Sequence, residues 1–178
     1  METIQVKDKK FAVSIPEAEI LKQVKRVAGE INRDFQDKAP VFISVLNGAF
    51  IFAADLMREI KVPCQISFVK LASYAGETST GTVKEMIGLN TDISGKDVVI
   101  VEDIVDSGLT MKTLLENLGR YHPSSVSICS LFVKPDKLQV ELDIAYKCFE
   151  IPNDFILGYG LDYDGYGRNT RDIYTVVD

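Results

Sequence analysis

Residues 97–110 constrain this chain more than any other stretch. Asp97 opens the near-continuous apolar run Val98-Val99-Ile100-Val101, Glu102 and Asp103 follow at once, and Asp106-Ser107-Gly108-Leu109-Thr110 leads into Met111, Leu114, Leu115 and Leu118 at helical spacing. An apolar run without alternation is the pattern of a strand buried on both faces, which belongs in the middle of a parallel sheet. The flanking sequence repeats the arrangement. Val41 to Leu46 reads as a short strand ended by Asn47-Gly48, after which Ala53, Leu56, Met57 and Ile60 resume the helical period. Val62 to Leu71 and Val126 to Val133 read as further strands. Upstream, Ile20, Val24, Val27, Ile31 and Phe35 recur at helical spacing behind Ser14 and Glu17, which have the form of a capping box. The alternation predicts an α/β fold, an open parallel sheet flanked by helices on both faces. Ser73 to Val83, with Gly76 and Gly81, reads as a loop, and the glycine-rich C-terminal part as a small cap over the sheet's edge. No repeat or linker divides the 178 residues, so one domain is expected.

In open α/β sheets ligands bind beyond the carboxyl ends of the strands, which is where Glu102 and Asp103 would stand. Ser107-Gly108-Leu109-Thr110 opens a helix whose first N–H groups lack intrahelical partners and suit a phosphate monoester. Adjacent acids repel phosphate but suit ribose hydroxyls or a metal ion. Asp106, between the acids and the cradle, is placed to accept a proton from an incoming nitrogen nucleophile. Taken singly, the acids could merely solvate a strand end, and Asp106 or Ser107 could cap a helix. Their joint occurrence favours a sugar-phosphate site. Neither a G-x-G-x-x-G turn nor a glycine-lysine-serine/threonine phosphate loop occurs in the chain.

Composition narrows the classes. The net charge of −6 counts against nucleic-acid binding and leaves an anionic ligand to local backbone N–H groups or a bridging metal. No apolar stretch is long enough to span a bilayer and the first ten residues are polar, so neither secretion nor membrane insertion is indicated. Cys64, Cys129 and Cys148 lie far apart in apolar surroundings, as reduced core thiols of a cytoplasmic protein would.

Val101 to Thr110 resembles the phosphoribosyl-diphosphate signature of the type I phosphoribosyltransferases, two acids after an apolar strand and then Asp-Ser-Gly-x-Thr. Further matches between about residue 40 and residue 171 resemble the 6-oxopurine enzymes of that family. The resemblance implies the type I phosphoribosyltransferase fold with a small hood contributed by the N- and C-terminal segments. It also implies transfer of a phosphoribosyl group from 5-phosphoribosyl 1-diphosphate, carried with Mg²⁺, to hypoxanthine and guanine in purine salvage. Leu46-Asn47-Gly48 then corresponds to the diphosphate-binding loop, with Asn47 where the family often has lysine. Leu109 likewise stands where several relatives carry lysine. Ser73-Tyr74 corresponds to a lid, Lys134 to the reader of the 6-oxo group, Phe155 to the aromatic stacked on the base, and Ile156 to the carbonyl facing the purine 2-position. Asp162 and Arg168 correspond to the acid and arginine near diphosphate and its metal, and Glu102, Asp103 and Asp162 become the metal candidates. Asp106 becomes the catalytic base, and Ser107, Gly108, Leu109 and Thr110 the 5′-phosphate cradle. Read without the resemblance, Asn47-Gly48 is a favourable turn, Ser73-Tyr74 an exposed loop, Lys134 a solvated lysine, Arg168 a surface charge, and Phe155 and Ile156 core residues. A homodimer or homotetramer, with no nucleic-acid or membrane partner, is the expected assembly. A xanthine-preferring enzyme and a non-catalytic regulator on the same fold are the alternatives.

Overall fold

The computed structural model describes residues 2–74 and 83–177. Among these residues, ten strands and three α-helices follow one another. They are β1 (Thr3–Val6), β2 (Lys9–Ile15), α1 (Glu17–Asp34), β3 (Val41–Val45), α2 (Phe50–Glu59), β4 (Gln65–Tyr74), β5 (Val83–Ile87), β6 (Asp97–Val105), α3 (Leu109–Gly119), β7 (Ser125–Val133), β8 (Tyr146–Glu150), β9 (Ile156–Leu157) and β10 (Ile173–Val177).

The apolar run at 98–101 becomes the central strand β6, paired in parallel with β3 on one side and β7 on the other. The full order is β5-β4-β3-β6-β7-β8, and only the edge strand β5 runs antiparallel, against β4. Alternate side chains of the central strands enter two separate cores. Phe42, Val99, Val101 and Cys129 pack under α1 and α2 with Ile20, Val24, Ile31, Phe52 and Leu56. Val41, Ile43, Val98, Ile100 and Ile128 pack under α3 with Met111, Leu114 and Leu118. Helices therefore cover both faces, and each fully buried large apolar side chain stabilises the fold by roughly 1.5–3 kcal/mol.

Strand order fixes where a ligand can bind. After β3 the chain goes to β4 on one side, and after β5 it returns to β6 on the other, so β3 and β6 are neighbours whose connections diverge. Their carboxyl ends open a crevice at this switch point. The loops that follow them are Leu46-Asn47-Gly48 and the stretch into α3.

A second sheet, ordered β1-β2-β10-β9, joins strands from both ends of the chain and forms the hood. Its small core is Phe11, Leu157 and Tyr174. Hood and sheet are linked through Tyr159, whose hydroxyl donates to Asp55 on α2.

Three sequence expectations change. The capping box at Ser14 and Glu17 does not form, because β2 carries Ser14 into the hood sheet, where its hydroxyl donates to the Ile173 carbonyl. Pro16 occupies the N-cap without a side-chain bond, and Asp172 Oδ1 accepts the Glu17 N–H at 2.7 Å instead. The loop expected over 73–83 is strand at both ends, with Ser73 opposite Lys84 and Tyr74 opposite Val83, because the two arms hydrogen-bond as a hairpin. Finally, Glu102 and Asp103 lie within β6 rather than beyond it, since Ile104 and Val105 continue the pairing with Phe132 and Val133.

No helix among the described residues is long and apolar enough to cross a membrane. All three cysteines are free, with Cys129 and Cys148 buried. Burial pushes the Cys129 thiol well up and the Cys148 thiol to about 12, while Cys64, half-buried, is raised by the same cause. Thiolate is the reactive form, so at pH 8 a disulfide reagent such as Ellman's should leave Cys129 and Cys148 unmodified in the native chain and titrate all three after denaturation. Rapid native-state reaction of two or more thiols would contradict this packing.

Candidate active site

Sixteen residues line a cavity of about 420 Å³ at the switch point, among them Leu46, Gly48, Lys70, the run Glu102 to Gly108, Thr110, Asp162 and Arg168. Strands β3 and β6, the first turn of α3 and the hood loop between β9 and β10 thus meet at one place.

Glu102 is buried, at 7% exposure, and shares the strand end with Asp103. Burial, and then the adjacent Asp103 carboxylate, hold the Glu102 carboxyl well above its usual range. Local amides partly satisfy the pair: the Asp103 N–H donates to Glu102 Oε1 at 3.0 Å and the Ile104 N–H to Asp103 Oδ1 at 2.8 Å. Gly48 meets this carboxylate closely. A Cβ at position 48 would fall 1.8 Å from Asp103 Oδ2, and one at Gly160 of the hood loop would fall 2.2 Å from the Gly48 carbonyl oxygen. Backbone of the loop is therefore wedged between the β6 acids and the hood. The Leu46–Asn47 peptide bond is cis.

Gly108 is the N-cap of α3 in a left-handed conformation, φ 83°, and no acid occupies the helix's first turn. Ser107 Oγ accepts the Leu109 N–H at 3.3 Å, and the Ser107 carbonyl accepts the Gln139 N–H at 2.9 Å. With no acid in its first turn, this end of the helix suits an anion at its amides.

Asp106 faces two ammonium groups. Lys134 Nζ lies 4.0 Å from Oδ2, and Lys137 Nζ lies 3.1 Å from Oδ1 while donating to Oδ2 at 3.3 Å. Among the described residues Asp106 Oδ1 receives no hydrogen bond although the atom itself is buried. Lys134 is buried too, at 7% exposure, so its reading as a solvated lysine is overturned. Phe155 moves in the opposite direction. The residue is 44% exposed, unlike a core residue, and its ring sits against Phe11 at 6.2 Å and edge-on to Tyr163 at 5.6 Å, whereas its neighbour Ile156 is buried.

Asp162 and Arg168 are brought together as expected, with Arg168 Nη2 3.1 Å from Asp162 Oδ1 and Nη1 donating to the Gly160 carbonyl at 2.7 Å. Several expected residues stand outside the cavity wall. Asn47 is exposed, Leu109 is 47% exposed, and Lys134, Phe155 and Ile156 do not line the cavity, although Lys134 adjoins it through Asp106. The side chains of Ser73 and Tyr74, and residues 75–82, lie outside the described residues, so the expected lid falls there.

Sequence reasoning missed four residues. Lys137 reaches Asp106 because Pro135 opens a short 3-10 turn over Pro135–Lys137, for which Lys-Pro-Asp-Lys was the available signal. Tyr159 and Asp55 couple the hood to α2, and Tyr159 holds φ 47°, rare for a bulky residue. Burial and the Asp55 carboxylate raise the Tyr159 hydroxyl above its ordinary range. Lys70 lines the cavity from β4, and nothing in its strand-like surroundings distinguished it.

Gly108→Ala should lower stability by about 1–2 kcal/mol, from the unfavourable left-handed φ. An added Cβ would also lie 2.8 Å from Val140 Cγ2 and 2.9 Å from Leu142 Cδ1. Urea unfolding measures the change, and a shift below about 0.5 kcal/mol would mean that the turn relaxes without strain.

Comparison with known proteins agrees with this geometry. Residues 16–164 match the model of the phosphoribosyl transferase domain. The chain is 43% identical over 172 residues to the hypoxanthine-guanine phosphoribosyltransferase of Mycobacterium avium, covering 93% of this chain and 85% of that one. It is 42% identical over 154 residues to the hypoxanthine phosphoribosyltransferase of Salmonella typhimurium, covering 85% and 86%. A crystal structure of a hypoxanthine-guanine phosphoribosyltransferase from Bacillus anthracis superposes with a TM-score of 0.83 at 38% identity, covering 94% of this chain and 97% of that one. With a domain match over most of its length and relatives this similar along nearly the whole chain, the protein belongs to the hypoxanthine-guanine phosphoribosyltransferase family, on the type I phosphoribosyltransferase fold.

Proposed function

We propose that the chain is a purine-salvage transferase that moves the 5-phosphoribosyl group of 5-phosphoribosyl 1-diphosphate to N9 of hypoxanthine, and of guanine, with release of diphosphate. One observation carries the choice of base: a buried ammonium, Lys134, stands 4.0 Å from the Asp106 carboxylate, whose buried Oδ1 lies 3.1 Å from the Lys137 ammonium but receives no hydrogen bond from it. A 6-oxopurine protonated on N7 presents an acceptor, O6, beside a donor, N7–H. The protein edge offers the complement, a donor beside an acceptor. Adenine's 6-amino group would set a donor against the Lys134 ammonium, and discrimination against such a mismatch is strong in buried polar sites.

The rest of the site is assigned around that edge. Phe155 stacks on the base, and the backbone carbonyl of Ile156 faces its 2-position. Glu102 and Asp103 bind the ribose hydroxyls, whose donors relieve two crowded carboxylates. Ser107, Gly108, Leu109 and Thr110 hold the 5′-phosphate on the α3 N-terminus. Leu46, Asn47 and Gly48, with Asp162 and Arg168, receive diphosphate. In the reaction the N9 lone pair attacks the anomeric carbon, the bond from that carbon to the diphosphate oxygen breaks, and Asp106 accepts the N7 proton. Ser73 and Tyr74 belong to a lid that excludes water from the activated sugar.

Mg²⁺ fits this arrangement in a limited way. The available ligands, Glu102, Asp103 and Asp162, are hard carboxylate oxygens, but no group of three acids among the described residues closes round a metal unaided. That suits an ion which keeps waters and arrives on the substrate's phosphates. When bound, it would neutralise charge on the departing diphosphate. Core sheet and hood act as one domain in this reading, and the protein works in the cytoplasm as a homodimer or homotetramer. A net charge of −6 supports small-molecule substrates over nucleic acid.

Diphosphate release measured with hypoxanthine, guanine, xanthine and adenine in turn, with and without Mg²⁺, tests the assignment. Release is expected with hypoxanthine and guanine, and a chelator should abolish it. No release with any base would defeat the enzyme reading, and a preference for xanthine would reassign the substrate. Asp106→Asn should lower turnover by roughly 10²- to 10⁴-fold with unfolding unchanged. Lys134→Gln should erode the preference for hypoxanthine over adenine, and a variant with full preference would remove Lys134 from base selection.

A further inference from the structure

The cavity that the proposed function assigns to phosphoribosyl diphosphate has an unexpected charge balance. Its wall carries four acids, Glu102, Asp103, Asp106 and Asp162, and two cations, Lys70 and Arg168. Its intended ligand is a polyanion. Neither position where a loop or cradle lysine is common helps, because Asn47 and Leu109 are uncharged, exposed and absent from the cavity wall.

Arg168 is already engaged, by Asp162 and by the Gly160 carbonyl. Lys134 and Lys137 are directed at Asp106. Lys70 differs from all of these. It is exposed, lines the cavity, and among the described residues takes part in none of the ion pairs or side-chain hydrogen bonds that hold the other site cations. Its place in the fold is equally specific. Val69, the preceding residue, pairs with Val45, and its carbonyl accepts the Leu46 N–H at 2.9 Å, so Lys70 follows directly on the residue that anchors the Leu46-Asn47-Gly48 loop.

We propose that Lys70 supplies, from β4, the side-chain positive charge for the diphosphate group that the Leu46-Asn47-Gly48 loop does not carry. The proposal rests on the reading that phosphoribosyl diphosphate fills this cavity. An uncommitted ammonium beside carboxylates gains most when a polyanion enters, since the ligand's charge then replaces solvent around it. An ammonium on a flexible stem needs no fixed fork, so the charge, rather than the lysine itself, is what the site requires. The base half of the site is remote from this charge in function, because base recognition runs through Lys134, Asp106 and Phe155.

Steady-state kinetics on the unsubstituted chain, Lys70→Met and Lys70→Arg test the assignment, with each substrate varied in turn at low and at high salt. Lys70→Met keeps the length and apolar stem and should unfold at the same temperature as the unsubstituted chain. Its KM for phosphoribosyl diphosphate should rise by about tenfold, the loss expected for one charge-assisted contact. Its KM for hypoxanthine should stay within about twofold, a split that general destabilisation would not produce. Lys70→Arg should recover most of the loss. Added salt should raise the phosphoribosyl diphosphate KM of the unsubstituted chain more than that of Lys70→Met, because screening acts on a charge that the variant lacks. An unchanged phosphoribosyl diphosphate KM in Lys70→Met, or equal rises for both substrates, would overturn the role of Lys70 while leaving the transferase reading intact. Absence of turnover in the unsubstituted chain would instead defeat that reading, and the Lys70 role with it.

Discussion

Two carboxylates side by side on a strand that is buried on both faces set the terms for this molecule. Strand β6 cannot withdraw them, because it is hydrogen-bonded to β3 and β7 and its apolar side chains are committed to two separate cores. Glu102 is therefore held where its charged form is disfavoured. Everything near it accommodates that fact. Neighbouring amides turn toward the pair, residue 48 has no side chain where Asp103 stands, and residue 160 has none where the Gly48 carbonyl stands. A ligand rich in hydroxyl donors would complete the set, which is the physical sense of the proposal that ribose binds there.

The site then divides into two halves with different chemistry. One is a solvent-connected cavity of about 420 Å³ bounded by acids, helix-terminal amides and two cations. The other is the pair of ammonium groups at Asp106, of which Lys134 is buried. Asp106 belongs to both, lining the cavity with its backbone neighbours and pairing with both lysines. In the proposed reaction Asp106 would border sugar and base at once, the natural place for a proton to go when a bond between them forms.

Much of this was legible in the sequence where function is contiguous. The apolar run of β6, its acids and the turn into α3 form one uninterrupted stretch, so local pattern located the part of the cavity wall that β6 and α3 build. What remained hidden depends on contacts across the fold. Lys70 became a wall residue only once β4 was aligned with β3. Lys137 required the 3-10 turn that folds it back on Asp106. Phe155 looked like core because apolarity does not reveal whether a neighbour covers the ring. Ser14 and Glu17 matched a local capping rule, yet pairing of β2 with β10 withdrew the serine and placed Asp172 in its stead. Local rules failed where a distant strand competed for the same groups.

That substitute cap has a bearing on how the chain is made. The donor and acceptor that start α1 are separated by 155 residues, so during synthesis the helix has to wait for that length of chain before its first amide finds Asp172. Until then α1 is held mainly by its apolar face, and β2 lacks the β10 partner that closes the hood sheet. Contacts of such long sequence separation form late, after their loop-closure entropy has been met. The parallel core can assemble before the hood exists, and the site is completed last, when β2 and β10 pair above it.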